Sequence, residues 1–283
     1  MDSVPLLIAM ATLPLEDGSL WYETHGDGQP LVFIHGGWMN GQAWEPQVER
    51  FADEYQVITL DVRGHGKTGA TEPNQYSIEL FTDDLEALLS RLEVDNPILC
   101  GLSLGSMVAQ EYMNRHPDHA AGAVLGGAVR SMPPMDLPAG MKPFMSPLPA
   151  LTTTLSMTRP ETIFRSLLVS IQATTGEQWL SVDPAVRSSA LDAVGEISRR
   201  EFRKVFGALY RYEPADLSHV ETPTLVIHGE QEAPLVKQQG RQLVSEVAEG
   251  ERLELSNSGH LVNQDRPDAF NTATAAFLDP AAQ

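Results

Sequence analysis

The chain contains 283 residues, of which 42% are hydrophobic, so it can bury a large core and has room for an insertion. Its formal net charge is −19, and an acidic protein of this kind repels nucleic acid and anionic membrane surfaces. Cys100 is the sole cysteine, which excludes a disulfide within the chain and favours a reducing, cytoplasmic location.

The N-terminal part predicts a short extension followed by a β-hairpin. Residues 1–9 contain an apolar stretch but lack the positive charge of a signal peptide, and we expect a flexible extension there. Residues 11–15 and 19–23 have strand-like composition and flank the turn Glu16-Asp17-Gly18. The folded core is therefore expected to begin near Met10.

Apolar runs of strand length then alternate with helical patterns. The runs are short and continuous, as in strands buried on both faces of a parallel sheet, and they occupy 31–34, 56–60, 97–100, 123–125 and 224–227. Helices are predicted over 77–92, 104–115 and 234–247. This alternation predicts an α/β fold with a mostly parallel sheet covered by helices on both faces.

The alternation is interrupted between residues 131 and 220. Residues 131–149 are rich in proline and methionine, and further helical patterns follow them. We therefore expect 131–220 to form a helical cap inserted into a core that consists of 10–130 and 221–283.

The pattern Gly101-Leu102-Ser103-Leu104-Gly105 predicts a nucleophilic serine. It follows a predicted strand directly and opens a predicted helix, so Ser103 falls at a sharp turn that only small neighbours permit. Such a turn exposes the hydroxyl group above the edge of the sheet. Serine is a weak nucleophile by itself, so a base must come from elsewhere in the chain.

His260 is the candidate base. It follows the alternating strand pattern of 252–256 and so lies on a loop at the C-terminal end of a strand, where ligand sites of open α/β sheets gather. His35, His65 and His228 fall on similar loops. Chain order separates them, because this arrangement expects the serine first, then an acid and then the histidine.

Five motifs in order make the chain resemble the α/β-hydrolase family, in its branch of capped serine esterases and cofactor-free haloperoxidases. They are His35-Gly36-Gly37-Trp38, Asp61-Val62-Arg63-Gly64-His65-Gly66, Gly101 to Gly105, Gly229-Glu230-Gln231-Glu232 and Ser258-Gly259-His260. They resemble the family's oxyanion loop, the turn after its fourth strand, its nucleophile elbow, its acid loop and its histidine loop. The resemblance implies an eight-stranded, mostly parallel sheet with flanking helices and a helical cap.

The resemblance also implies a catalytic triad. Ser103 matches the nucleophile, His260 the general base that later protonates the leaving group, and Glu232 the acid that orients the histidine. The family usually has aspartate at the acid position, and glutamate is one methylene longer. Glu230 lies two residues earlier and is the alternative acid.

An oxyanion hole and a pocket wall follow from the same resemblance. The oxyanion donors would be the backbone N–H groups of Gly37 and Leu104, aimed at the developing alkoxide. Trp38 is expected to wall the pocket. Met132 and Met145 are further candidates for substrate contact, since flexible methionines suit a pocket of irregular shape.

Other reactive side chains are expected to be structural. His35 and the turn 63–65 would pack beside the site without taking part in chemistry. Cys100 has no histidine or cation beside it in sequence and is expected to be a small buried hydrophobe. The sequence contains neither metal-ligand spacing nor a glycine-rich phosphate loop, so no metal and no other cofactor is expected.

The sequence thus predicts a serine hydrolase that cleaves a small or medium ester or lactone through an acyl-enzyme. C–C bond hydrolases and cofactor-free haloperoxidases use the same triad and stay open as alternatives, as does a non-catalytic binding protein with this fold. The expected partner is a small-molecule substrate, and the expected assembly is a monomer or a small homo-oligomer. Four lysines among 19 basic residues suit a salt-loving organism as well as an ordinary acidic bacterial protein.

Overall fold

The structure is a computed structural model that describes residues 8–132, 145–176 and 178–278. Its strands are β1 Ile8–Leu15, β2 Gly18–His25, β3 Gln29–Ile34, β4 Tyr55–Leu60, β5 Ile98–Leu102, β6 Gly122–Gly126, β7 Thr224–Gly229 and β8 Gly250–Leu255. They form one eight-stranded sheet in the order β1-β2-β4-β3-β5-β6-β7-β8. The β1–β2 and β2–β4 pairs are antiparallel, and all the other pairs are parallel. The predicted mostly parallel α/β fold is confirmed.

Helices flank the sheet and connect its parallel strands. Their bounds are α1 Glu45–Phe51, α2 Ile78–Arg91, α3 Leu104–Arg115, α4 Leu148–Met157, α5 Pro160–Thr175, α6 Pro184–Glu196, α7 Arg199–Arg211, α8 Pro234–Glu246, α9 Val262–Asp265 and α10 Pro267–Leu278. The helix predicted over 77–92 begins one residue later, because Ser77 caps it: its hydroxyl accepts a hydrogen bond from the Leu80 N–H. In the part of the chain that is described, no helix combines the length and the apolar character needed to cross a bilayer.

The predicted N-terminal hairpin is present, but it begins earlier than expected. β1 pairs with β2 in a register that sets Leu15 opposite Gly18, so the two residues between them form the turn. The prediction that residues 1–9 extend beyond the fold is wrong for Ile8 and Ala9, because β2 continues to His25 and offers them backbone partners. Residues 1–7 lie outside the described residues.

The central strands explain the continuous apolar runs in the sequence. Leu31–Ile34 of β3 are each 0% exposed, and β5 and β6 are buried over their whole length. Helices cover both faces of these strands, so no alternation of polar and apolar residues is needed. The carboxyl ends of β3, β5, β7 and β8 lie along one edge of the sheet, and the loops that leave them carry the candidate site.

Helices α4 to α7 all lie between β6 and β7 in the chain, within the range 131–220. α7 is tied to the core by Lys204, whose buried ammonium donates to the carbonyls of Thr71 (3.0 Å) and Pro73 (2.9 Å). The same ammonium lies 2.8 Å from Glu201 Oε1, which balances its charge. That 131–220 acts as a separate cap domain stays a prediction, and residues 133–144 of the proline- and methionine-rich stretch lie outside the described residues.

Candidate active site

The turn between β5 and α3 holds Ser103 in a strained backbone conformation. Ser103 has φ 53° and ψ −110°, which residues with a side chain rarely adopt. Gly105 packs so tightly on β3 that a methyl group there would lie 2.0 Å from the Ile34 carbonyl oxygen. The hydroxyl of Ser106 donates to the Ser103 carbonyl at 2.6 Å and accepts from the Val129 N–H at 3.2 Å. The strand–turn–helix context predicted for the serine is therefore present.

A histidine and a carboxylate meet on the loops that follow β8 and β7. His260 Nδ1 lies 2.6 Å from Glu232 Oε2, and the two residues are only 4% and 2% exposed. Burial alone would raise the pKa of Glu232, but the charge of His260 and its hydrogen bond outweigh burial and hold this pKa below its usual range. Glu232 is therefore ionised at neutral pH, and it accepts the Nδ1–H of His260, which leaves Nε2 for another partner.

The alternative acid, Glu230, faces away from this pair. It is exposed, and its Oε2 accepts a hydrogen bond from the Asn257 N–H at 3.0 Å. Of the two glutamates that the sequence left open, Glu232 is the one in contact with His260.

Ser103 and His260 line the same cavity, whose volume is about 730 Å³. The structure therefore brings the predicted nucleophile and the predicted base to one site. Among the described contacts there is no hydrogen bond from Ser103 Oγ to His260.

The two predicted oxyanion donors are neighbours. Leu104 is the first residue of α3, so its N–H has no acceptor inside the helix. A methyl group on Gly37 would lie 3.8 Å from Leu104 Cβ, which sets the two residues side by side. Within the described residues neither N–H has an acceptor, whereas the N–H of Trp38 is bound by His65 Nε2 at 2.8 Å. Two free N–H groups thus lie next to the serine.

The cavity wall is apolar and comes largely from the insertion. Trp38, Met132 and Met145, the predicted substrate-contact residues, all line it. Trp38 is buried and stacks on Phe202 with 4.8 Å between ring centroids, whereas Met145 is 54% exposed and lies at the rim. No Asp, Glu, Lys or Arg is among the described lining residues. Other apolar residues of the wall are Phe164, Leu167, Ile171, Val194, Phe206 and Leu209.

Sequence reasoning missed Trp179, which lies between α5 and α6. Its Nε1–H donates to Glu232 Oε1 at 2.6 Å, and its carbonyl accepts the His260 N–H at 2.6 Å. Its ring stacks on the imidazole of His260, with 4.7 Å between centroids and 29° between planes. Trp179 sits in an irregular segment with no motif or periodicity, so nothing in the sequence marked it.

His35 and His65 are buried beside the site, and each binds backbone groups through both ring nitrogens. His35 Nε2 accepts from the Val62 N–H at 2.9 Å, and its Nδ1 lies 2.7 Å from the carbonyl of the next residue. His65 Nε2 accepts from the Trp38 N–H, and its Nδ1 donates to the Val62 carbonyl at 3.0 Å. Burial lowers the pKa of His35 to about 4 and that of His65 to about 3. This bonding agrees with the structural role expected for both.

The remaining reactive side chains are also held in the core. His228 is fully buried on β7, where its Nε2 lies 3.3 Å from the Ala128 carbonyl, and burial lowers its pKa. Cys100 is fully buried beneath the elbow, and burial raises the pKa of its thiol well above the ordinary value. A thiol in this environment is a poor nucleophile.

Comparison with known proteins identifies the class to which this fold and site belong. The model of the Alpha/beta hydrolase family matches residues 31–273, which is most of the chain. The chain therefore belongs to the alpha/beta hydrolase family of enzymes.

Individual relatives span several activities. A putative non-heme chloroperoxidase of Synechocystis sp. is 28% identical over 270 residues, covering 92% of this chain and 94% of its own length. The 3-oxoadipate enol-lactonase 2 of Acinetobacter baylyi is 23% identical over 283 residues, covering 97% and 98%. A thermophilic esterase of Thermogutta terrifontis has a structure that matches with a TM-score of 0.77 at 19% identity, covering 99% and 100%. This last likeness shows the fold alone.

Proposed function

We propose that the chain is a serine hydrolase that cleaves a small or medium neutral ester or lactone, with Ser103 as nucleophile, His260 as general base and Glu232 as the triad acid. The observation that carries this proposal is the buried contact of 2.6 Å between His260 Nδ1 and Glu232 Oε2, formed at the cavity that Ser103 also lines. Because Glu232 occupies Nδ1, the tautomer with a free Nε2 is favoured, as a base for serine requires.

In the proposed reaction Ser103 Oγ attacks the substrate carbonyl while His260 Nε2 takes its proton. The carbonyl oxygen becomes an alkoxide between the N–H groups of Gly37 and Leu104, and each such donor stabilises the transition state by about 3 kcal/mol. The tetrahedral intermediate then collapses, and His260 gives its proton to the departing alcohol. Water, deprotonated by His260, releases the acid from Ser103. Glu232 stabilises the imidazolium at both stages.

The cavity supports a neutral substrate. Its volume of about 730 Å³ lies within the range usual for small-molecule sites. Since no charged side chain lines the described wall, an ionic substrate would lose its hydration without gaining a partner. Esters and lactones with small or medium apolar acyl groups are therefore favoured.

The test is rapid mixing with p-nitrophenyl acetate, butyrate and octanoate. We expect an initial burst of p-nitrophenol equal to the enzyme concentration, because acylation releases it before the acyl-enzyme turns over. Ser103→Ala should abolish the burst and lower kcat by about 10⁵- to 10⁶-fold. Cys100→Ala is the matched control and should keep the burst. A Ser103→Ala protein with an intact burst would overturn the proposal.

The similarity to a putative chloroperoxidase favours a second fate for the same acyl-enzyme. Hydrogen peroxide in place of water would attack the acyl carbonyl, form a peroxy acid and return the free hydroxyl of Ser103. Incubation with ethyl acetate, hydrogen peroxide and bromide tests this, since a peroxy acid oxidises bromide. Bromide oxidation that survives Ser103→Ala would exclude this route.

A further inference from the structure

We propose that Trp179 is a positioning residue, through which the inserted helical segment sets the geometry of the His260–Glu232 pair. The inference rests on the proposed function, since it adds a residue to that same site. It predicts that the insertion contributes to the chemical step, in addition to forming the wall of the cavity.

Trp179 completes the bonding of the buried carboxylate. Glu232 Oε2 accepts a hydrogen bond from His260 Nδ1. Its Oε1 accepts from the indole N–H at 2.6 Å and from the Ala233 N–H at 2.8 Å. Hydrogen bonds to an ionised group are roughly twice as strong as neutral ones. Glutamate has one more rotatable bond than aspartate, and donors on both oxygens hold it in one conformation. This bonding explains how a glutamate serves at a position where an aspartate is usual.

Trp179 also orients the base. Its ring lies over the imidazole of His260, with 4.7 Å between centroids, and its carbonyl fixes the backbone N–H of His260 at 2.6 Å. One residue thus holds the imidazole plane, the histidine backbone and the carboxylate. Nε2 keeps its direction toward the cavity as long as these contacts persist.

The segment around Trp179, residues 178–183, is bonded to the acid loop and the histidine loop at several points, and we call it the strap. The Gln178 N–H donates to Gln231 Oε1 at 3.0 Å, and the Leu261 N–H donates to the Leu180 carbonyl at 2.9 Å. Asp265 Oδ2 accepts from the N–H groups of Val182 (3.0 Å) and Gly259 (2.7 Å) and so joins the strap to the histidine loop.

The close approach of the strap also accounts for the glycine that precedes the base. A methyl group on Gly259 would lie 2.5 Å from the Trp179 carbonyl and 3.0 Å from the Ser181 N–H. Only glycine leaves room for the strap at this distance. The strap and the histidine loop therefore form one packed unit.

A tryptophan of the core, away from the candidate site, supplies the control for the half-buried Trp179. Trp44 is 0% exposed and stacks on Phe33 with 4.8 Å between centroids, but its Nε1 has no hydrogen-bond partner among the described residues. Trp44→Phe therefore removes the same atoms as Trp179→Phe without removing a hydrogen bond to the site.

The experiment compares Trp179→Phe with Trp44→Phe in the full-length enzyme, using p-nitrophenyl butyrate. Phenylalanine keeps an aromatic face on His260 and removes the donor to Glu232. We expect kcat of Trp179→Phe to fall about tenfold or more, because the lost hydrogen bond acts on the acid and the base. KM should change less than about threefold, because phenylalanine keeps the aromatic surface that Trp179 presents to the cavity. The acid limb of kcat/KM should move to higher pH, since a carboxylate without its indole donor attracts the imidazole proton more strongly.

Trp44→Phe should keep kcat within about twofold of the wild type, and it should leave the acid limb of the pH profile in place. If Trp179→Phe matches Trp44→Phe in kcat and in pH profile, the positioning role is wrong.

A second measurement does not depend on folding of a tryptophan variant. The proton resonance of the Trp179 indole N–H should shift upfield in Glu232→Gln and stay in place in Glu230→Gln, and an unmoved resonance in Glu232→Gln would also overturn the inference.

Failure of this inference is distinguishable from failure of the proposed function. If Ser103→Ala keeps its burst, the serine mechanism is wrong whatever Trp179 does. If Ser103→Ala is inactive and Trp179→Phe behaves like the wild type, only the role of Trp179 is wrong.

Discussion

The His260–Glu232 pair and the His35–His65 cluster lie at the same edge of the sheet, and their histidines differ in what the ring nitrogens bind. His260 gives Nδ1 to the carboxylate of Glu232 and lines the cavity. His35 and His65 pack edge to face with 4.9 Å between centroids, and both nitrogens of each bind backbone groups. Burial is nearly complete for His260, His35 and His65, so burial does not distinguish the proposed catalytic histidine from the other two.

The bonding pattern distinguishes the two clusters. In the His35–His65 cluster, protonation would place a second N–H against a backbone N–H, which is consistent with pKa values of about 4 and about 3. In the His260–Glu232 pair, an ionised carboxylate would stabilise the imidazolium, as the proposed general base requires. The His35–His65 cluster instead fastens the loop after β3, because His65 accepts the N–H of Trp38.

The largest effect is expected from His260→Gln, which removes the base. We predict that kcat for p-nitrophenyl butyrate falls by at least about 10⁴-fold, since serine without a base is a weak nucleophile. Steady-state kinetics measure this loss, and circular dichroism checks that the fold is kept. His116→Gln, at a half-exposed histidine that contacts Glu86, is the control and should retain full activity. If kcat of His260→Gln stayed within tenfold of the wild type, His260 would not act as the base and would not differ in function from His35 and His65.

The second effect concerns the acid. Glu232→Gln keeps the shape of the side chain but removes the charge that stabilises the imidazolium, so kcat should fall by about 10³- to 10⁴-fold. Glu230→Gln, two residues away on an exposed side chain, should change kcat by less than about twofold. Parallel measurement of kcat for both variants decides which glutamate is the acid. Glu230 is the acid if Glu230→Gln shows the larger loss.

The sequence allowed the parts of the site that depend on chain order and local geometry to be predicted. Strand, sharp turn and helix made Ser103 the candidate nucleophile, and the order serine, acid, histidine separated His260 from the other histidines on strand-end loops. The carboxyl ends of parallel strands share an edge, so residues on these loops were expected to lie close together. The same logic predicted the strands of the sheet to within a few residues.

The sequence did not predict contacts between residues that lie far apart in the chain. The resemblance favoured Glu232 and left Glu230 as the alternative acid. Only the path of the loop shows that Glu232 contacts His260 while Glu230 is exposed. Trp179 lies 53 residues before Glu232 in the chain, and no local pattern links the two. The start of β1 was misjudged for a similar reason, because strand ends are set by the partner strand.

The smallest effect is expected at His65, where the substitution His65→Gln repeats the change made at His260. The pKa of His65 is about 3 in the folded protein and close to 6.5 when unfolded, so the unfolded state binds more protons as pH falls below about 6.5. The wild type therefore loses stability through this group between about pH 6.5 and 3. His65→Gln lacks the titration, so its stability deficit relative to the wild type should shrink by about 2 kcal/mol between pH 7 and pH 5.

Urea unfolding of both proteins at pH 7 and pH 5 measures this difference directly, and the other titrating groups cancel because both proteins share them. Glutamine can still accept the Trp38 N–H in place of Nε2, so kcat should fall by less than about fivefold. The stability gap and kcat test different parts of the contrast between His260 and the His35–His65 cluster. A stability gap that is constant with pH would show that His65 does not resist protonation. A kcat loss as large as that of His260→Gln would show that the His35–His65 cluster takes part in the chemistry itself.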